Sequence, residues 1–584
     1  MQHRCHKKHY LDKQKLRQTN NHLSGHIIKQ YSTTFFFVGN ILFSTYLHAA
    51  ESSTPTDSKY QAIQQALIAE FSLAANDIPT ALHNYTVLAI KTPSPSIKQR
   101  ALNVAIEQND LHSALDISTH WVDQEPKDVP ALFYLAHIAL RSHEYQLVAT
   151  TLNKILSLDS NADLERILVG IAPESTQDRN DLIHALQTSN EQKNPSILAI
   201  IAALQAQNQQ FDQALENINR ALKHRSKTTG YILMKANILQ ALNDQEATLK
   251  WFKKSSRKNK KNLDIQLAEV KYLIKINENE LALKKLESIT KKWPDAEEAA
   301  FIAGLTSIDL GLNEQAEKYL VELRNSAQYQ NEAYYYLAVN AEQKQHYETA
   351  KAYYRLVDGS LYTVSRRNMI SIFAKQDKLP DALRFLTQER VNYPQHASFL
   401  YLTQADILKK MKNNKAVVRL LDEAIQNLPD DPELIYSEVL ILDPYQDTEK
   451  LDQRLKQLLD IEPNSPTYLN AYAYTLALQN RRLDEARKYV EKALEFAPEQ
   501  ASILDTLGFV CYLQNDFQTA SHVLEKAYAL SSSLKIGIRY ARTLFMLGDM
   551  QKYENLLQEL AQKHPKDPQL DQLNHLLLTE YPLS

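Results

Sequence analysis

In ILDTLGFVCYLQNDFQTASHVLEKA, Ile503 to Ala527, apolar residues recur with a helical period rather than a strand period. Leu504, Leu507, Gly508 and Cys511 share one face of a first predicted helix. Ala520, Leu524 and Ala527 share one face of a second, and LQNDF turns between them. The register returns along the chain. One unit has Tyr472–Ala473, then Ala486, Val490, Ala493 and Pro498. Others show Leu337, Ala338, Ala350, Tyr354 and Val357, or Gly304, Ala316, Leu320 and Leu323. Nearer the start come Ala202, Ala214, Ile218 and Ala221, and before them Ala69, Ala81, Tyr85 and Leu88. Pro394, Pro429, Pro463 and Pro498 recur at nearly one spacing, and proline cannot continue a helix, so each marks a unit boundary.

Paired short helices meeting at small residues with a period of about 34 residues are the tetratricopeptide pattern. The expected fold is all-α, a solenoid of about fourteen helix pairs from Tyr60 to Pro565, wound as a right-handed superhelix. Gly304, Gly508, Ala486, Ala520 and Ala527 are the structural repeat positions, small because two helices approach closely there. Cys511 fills a slot that usually holds an aromatic, and reads as a small buried filler rather than a reactive thiol. The turns AANDI, EQNDL, LNDQE, QNRR, KNNK and QNDF lack glycine, and asparagine takes over the left-handed position there. Repeats are expected over 51–159 and 197–534. Between them, 160–196 lacks the small-residue signature and reads as an irregular connector. Residues 535–584 are more polar, as a degenerate capping repeat and tail would be.

Composition agrees with helices: glycine numbers only 10 in 584 residues, too few for a turn-rich β chain. A net charge of −3 gives no sign of nucleic-acid binding. The N-terminus differs from the rest. MQHRCHKKHYLDKQKLRQ is basic, TFFFVGNILFSTYL is apolar, and HAAESS supplies small residues. That order predicts a secretory signal over 1–50, cut after Ala49 or Ala50, with an uncleaved inner-membrane anchor as the alternative. The leader takes seven of the 66 Lys/Arg and one of the 69 Asp/Glu, leaving 59 and 68, a net −9. It also takes Cys5, so Cys511 has no partner for a disulfide. HRCHKKH, with metal-ligand residue types, reads as leader charge.

Stacked helix pairs leave a long groove lined by the first helix of each unit. The inward positions are expected to include Tyr335, Arg367, Asp406, Asn470, Tyr474, Asp505, Phe509, Tyr512 and Arg539. Aromatic, amide and charged side chains there suit an extended segment or a partner's helix. In AYYYLA, Tyr334 and Leu337 fall at core positions and Tyr335 at a groove position. One basic run, Lys250, Lys253, Lys254, Arg257, Lys258, Lys260 and Lys261, contains no acid. It falls at the end of a second helix, on the outer edge. It reads as a solvated face, or as a surface for anionic lipid or an acidic partner. No HExxH, GxSxG, Walker or GxGxxG motif and no Cys/His set with ligand spacing occurs, so no cofactor or metal is expected. Histidines such as His143, His224 and His346 fall in turns or on polar faces.

YLNAYAYTLALQNRRLDEARKYVEKALEFAPEQASILDTLGFVCY, preceded by ELIYSEVLILDPYQDTEKLDQRLKQLLDIEP, resembles one bacterial family. That family is the outer-membrane tetratricopeptide lipoproteins that bind a periplasmic carboxyl-terminal processing protease. YYYLAVNAEQKQHYETAKAYYRLVDG resembles its middle repeats, and LIAEFSLAANDIPTALHNYTVLAIKTPSPSIKQRALNVA its first. The resemblance implies a non-enzymatic adaptor that binds the protease and its substrates, peptidoglycan hydrolases, and promotes their degradation. It implies protein partners, no nucleic acid, a periplasmic location and membrane contact that is peripheral at most. The family's lipid-bearing cysteine is replaced here by Ala49, Ala50 and Glu51, which points to a soluble periplasmic form with outer-membrane association in question. The alternative is a structural assembly factor for an envelope or export complex, with no protease involved. An enzyme carrying attached repeats finds no room beside fourteen units.

Overall fold

The computed structural model describes residues 57–162, 164, 172–565, 567, 568 and 570. The expected leader lies outside the described residues, as do part of the 160–196 connector and the end of the tail. Every regular element among the described residues is helical. Fourteen complete pairs run from Asp57–Ala74 with Ile78–Lys91 to Leu534–Leu547 with Met550–Lys563. One further helix, Thr176–Gln187, stands within the irregular segment. The chain divides into two compact units, residues 1–316 and 317–584. The last pair, Leu534–Leu547 with Met550–Lys563, lies almost wholly within 535–584.

Local chemistry explains why the pairs recur. Four turns share a two-residue device, an Asn in the left-handed region followed by an Asp that caps the next helix; elsewhere His143, Gln209, Gln345 and Asp377 hold the left-handed position with no side-chain cap after them. Asn76, Asn109, Asn243 and Asn515 have φ between 55° and 63°. Asp77, Asp110, Asp244 and Asp516 then accept backbone N–H bonds from Thr80, Ser113, Ala247 and Thr519. Asn480 also takes the left-handed region, at φ 48°, but Arg481 and Arg482 follow it and the next helix has no side-chain cap. KNNK departs from the device: Lys412 takes the left-handed position at φ 57°, and Asn413 is the cap, accepting from the Ala416 N–H.

Small residues sit where helices cross. Ala486, Ala520, Ala527 and Cys511 are fully buried, and Gly304 is buried. A Cβ on Gly508 would run into the Leu524 side chain of the partner helix. In the second unit one apolar core runs from Tyr401 to Leu570, and it includes Tyr472, Ala473, Val490 and Ala493. In the first, a core from Ala69 to Leu204 is built from the same register.

Two repeats of the second unit carry a short helix: one at Pro432–Val439, with eight residues, and, more consequentially, the repeat built on Gln330–Gln343. Its second helix, Tyr347–Arg355, has nine residues where neighbours such as Leu379–Asn392 have fourteen. The early stop leaves carbonyls without helical partners. Arg366, with no exposed surface, fills that space. Its guanidinium donates to the carbonyls of Tyr354 (2.7 Å), Val357 (3.1 Å) and Arg355 (3.2 Å). Its Nε donates to Glu389 Oε2 at 2.6 Å, and the ring of Tyr362 lies 4.2 Å away.

Candidate protein-interaction site

Three consecutive first helices of the second unit, Pro466–Leu478, Ala501–Leu513 and Leu534–Leu547, touch in series. Each presents two side chains one turn apart: Asn470 and Tyr474, Asp505 and Phe509, Lys535 and Arg539. The structure joins them into one cluster. The Tyr474 and Phe509 ring centroids are 6.2 Å apart. The Arg539 guanidinium lies 4.2 Å from the Phe509 ring and 5.3 Å from that of Tyr474. Arg539 Nη1 donates to Asp505 Oδ2, and Nη2 donates to the Tyr474 hydroxyl at 3.1 Å. Lys535 Nζ donates to the same hydroxyl at 2.8 Å and lies 4.6 Å from its ring.

The electrostatics follow from this geometry. Burial opposes ionisation of Tyr474, yet the Lys535 and Arg539 cations outweigh it and hold the phenol below its ordinary value. Two cations face one carboxylate, so the cluster keeps one positive charge uncompensated. Asp505 is 7% exposed, and its Oδ1 has no hydrogen-bond partner among the described residues; Asn470 Oδ1 has none either. The arrangement offers flat aromatic area and a net positive charge. That combination suits a protein segment carrying an acidic and an apolar side chain. No group of three or more His, Cys, Asp or Glu side chains among the described residues is placed to hold a metal.

Of the residues expected on the groove, Tyr474, Asp505, Phe509 and Arg539 come together, with Asn470 beside them on its helix. Tyr512 is half-buried and packs edge-on against Phe517, with centroids 5.6 Å apart. Arg367 and Asp406 are exposed and stand apart on other helices, Arg367 with its guanidinium 5.3 Å from the Phe399 ring. Tyr335 corrects the register reading. It is buried, with the Tyr354 ring 5.7 Å away and its hydroxyl accepting from Asn368 at 3.2 Å. Asn368 belongs to the next repeat, so the covering contact is invisible within a single unit. Tyr334, expected in the core, is half-buried and stacks on Tyr353 instead. Lys535 lies outside the inward positions named from the repeat register; its spacing of four from Arg539 is the signal that marks it.

Lys250, Lys253, Lys254, Arg257 and Lys258 are on the second helix Gln245–Lys258, Lys260 and Lys261 are in the turn after it, and all seven are exposed. Cys511 is fully buried, and burial pushes its thiol up to about 11. Arg487 of the preceding repeat pulls the other way, a long-range partner that helical spacing does not reveal, but burial prevails. In a Cys5→Ser chain, Cys511 should therefore resist a thiol reagent at mildly alkaline pH and react only after urea unfolds the protein. Rapid labelling of the folded chain would show the slot to be open.

Comparison with known proteins finds a TPR repeat-containing protein of Pseudomonas aeruginosa, 23% identical over 468 residues, 79% of this chain and 78% of that one. An uncharacterized lipoprotein of Treponema pallidum is 34% identical over 107 residues, 18% of this chain and 53% of that protein, so the match spans about half of it. Among solved structures, Naa15/Naa10 bound to HypK-THB aligns at 15% identity and a TM-score of 0.37, over 79% of this chain and 67% of that one. Yeast Tom70 aligns at 14% identity and a TM-score of 0.27, over 89% and 96%. No family model matches the chain. The helix pairs and their small crossing residues define a tetratricopeptide-repeat solenoid, a scaffold architecture for binding other proteins. No described helix is long and apolar enough to cross a membrane.

Proposed function

We propose that this chain is a non-enzymatic periplasmic adaptor that binds a carboxyl-terminal processing protease together with its cell-wall hydrolase substrates and promotes their degradation. The ordered series of repeats carries the reading. Single tetratricopeptide signatures are unspecific, but the sequence from Leu67 to Tyr512 follows the order of the protease-binding lipoproteins. Similarity to a Pseudomonas aeruginosa repeat protein over most of both chains is in keeping with it. The Tyr474–Phe509–Arg539 cluster supplies a surface of the right kind, since aromatic and Arg side chains dominate the energetics of protein interfaces.

The test is capture from a periplasmic extract of the source organism on the immobilised protein, with bound proteins identified by mass spectrometry. The expected result is recovery of a carboxyl-terminal processing protease, and faster proteolysis of a cell-wall hydrolase when this chain is added. Phe509→Ala and Lys535→Glu should each weaken capture about tenfold or more, as loss of an interface anchor does. Capture of export or envelope-assembly components without a protease would overturn the reading.

A further inference from the structure

The outer edge of the first unit carries charge that the interaction site does not use. The second helices Phe211–His224, Gln245–Lys258 and Asn279–Lys292 all end on basic residues, at positions 34 residues apart: Lys223, Arg257 and Lys291. Lys258 and Lys292 extend two of these ends, and Lys260 and Lys261 occupy the turn between two repeats. Adjacent tips touch. The Lys292 ammonium donates to the Lys260 carbonyl, and Asn262 Nδ2 donates to Thr229 Oγ1 at 2.7 Å. The basic residues thus form one ridge across three repeats. All are exposed, and none is ion-paired with another described residue.

Helix C-termini attract cations on their own account, which explains one or two per tip. It does not explain Lys260 and Lys261, which lie past the helix end, or Lys253 and Lys254, which lie a turn or more before it. The acids nearest in sequence are Asp264, Asp295, Glu297 and Glu298 near the starts of the next helices, where Glu298 pairs with Lys271, and Glu287 one turn before Lys291; the basic residues outnumber them. Burial lowers the pKa of Lys235, and the Lys254 cation adds to it.

We propose that this ridge docks electrostatically on an anionic phospholipid surface. Lysine outnumbers arginine heavily along it. Protein interfaces are depleted in lysine and rely on Arg and aromatic anchors seated in pockets, whereas hydrated, flexible ammonium groups suit diffuse, laterally mobile anions. The one aromatic at the tips supports the same choice. Trp293 is half-buried, with the Lys292 ammonium 4.3 Å from its ring, a pair that suits the headgroup region of a bilayer. This inference is independent of what the second-unit cluster binds.

The test is co-sedimentation of the protein, as processed and purified from cells, with vesicles of phosphatidylcholine alone or mixed with phosphatidylglycerol. Binding is expected only with phosphatidylglycerol, and raised salt should abolish it. Replacing Lys254, Arg257, Lys258 and Lys261 together with Gln should cut binding more than tenfold. Replacing the equally exposed Lys412, Lys415, Lys488 and Lys526 should change it less than twofold. Circular dichroism and the unfolding midpoint of both variants should match the parent. Binding that ignores phosphatidylglycerol, or that survives the first replacement, overturns the proposal. Loss of an acidic protein from the captured set without any vesicle binding would do so too, and would assign the ridge to a protein partner.

Discussion

Replacing Arg366 with methionine should destabilise the second unit by about 3–5 kcal/mol, the usual cost of removing one partner from a buried ion pair. The loss has two parts. The Glu389 carboxylate, only 6% exposed, would keep just the Tyr362 hydroxyl at 3.1 Å, and burial penalises an uncompensated charge. The carbonyls of Tyr354, Arg355 and Val357 would lose the donor that replaces their missing helical partners. Hydrogen exchange on the whole chain should show it as lost amide protection in Tyr347–Arg355 and Leu379–Asn392. Arg366→Lys should recover little, because an ammonium cannot span four acceptors that a planar guanidinium reaches together. Arg366→Met with Glu389→Leu should recover part, since the stranded charge is gone. Unchanged protection in Arg366→Met would mean that the short helix is held by packing alone.

Arg539→Ala carries the second large effect, about 3 kcal/mol lost from the last repeats. Arg539 ties three repeats together, through Tyr474, through Asp505 and Phe509, and through its own helix Leu534–Leu547. Without it Asp505 is a nearly buried carboxylate with no cation, and one of its oxygens already lacks a partner. Hydrogen exchange in Leu534–Leu547 and Met550–Lys563 should quicken, and Asp505→Asn in the same chain should slow it again. Lys535→Ala is the contrast. Its exposed ammonium should contribute less than about 1 kcal/mol to stability, so any effect on partner capture reads recognition directly. Equal stability of Arg539→Ala and the parent would reduce the cluster to a surface decoration.

These two arginines mark how far the sequence reaches. The helix pairs, their register and their crossing residues were legible, because helical period and capping are local properties that recur with the repeat. The buried Ala69, Ala81, Ala214, Ala350 and Ala486 all stand where the pattern puts them. Arg366 and Arg367 are neighbours of one residue type, yet one is fully buried and the other exposed. Which is which depends on where the shortened helix Tyr347–Arg355 leaves carbonyls uncovered, a fact of packing between elements. Tyr335 is buried by Asn368 of the next repeat, and Lys535 meets Tyr474 across 61 residues of chain. Periodicity tells which side of its own helix a residue occupies. The residue that covers it from the next repeat is decided by how closely and at what rotation successive pairs stack, and only the tertiary structure fixes that.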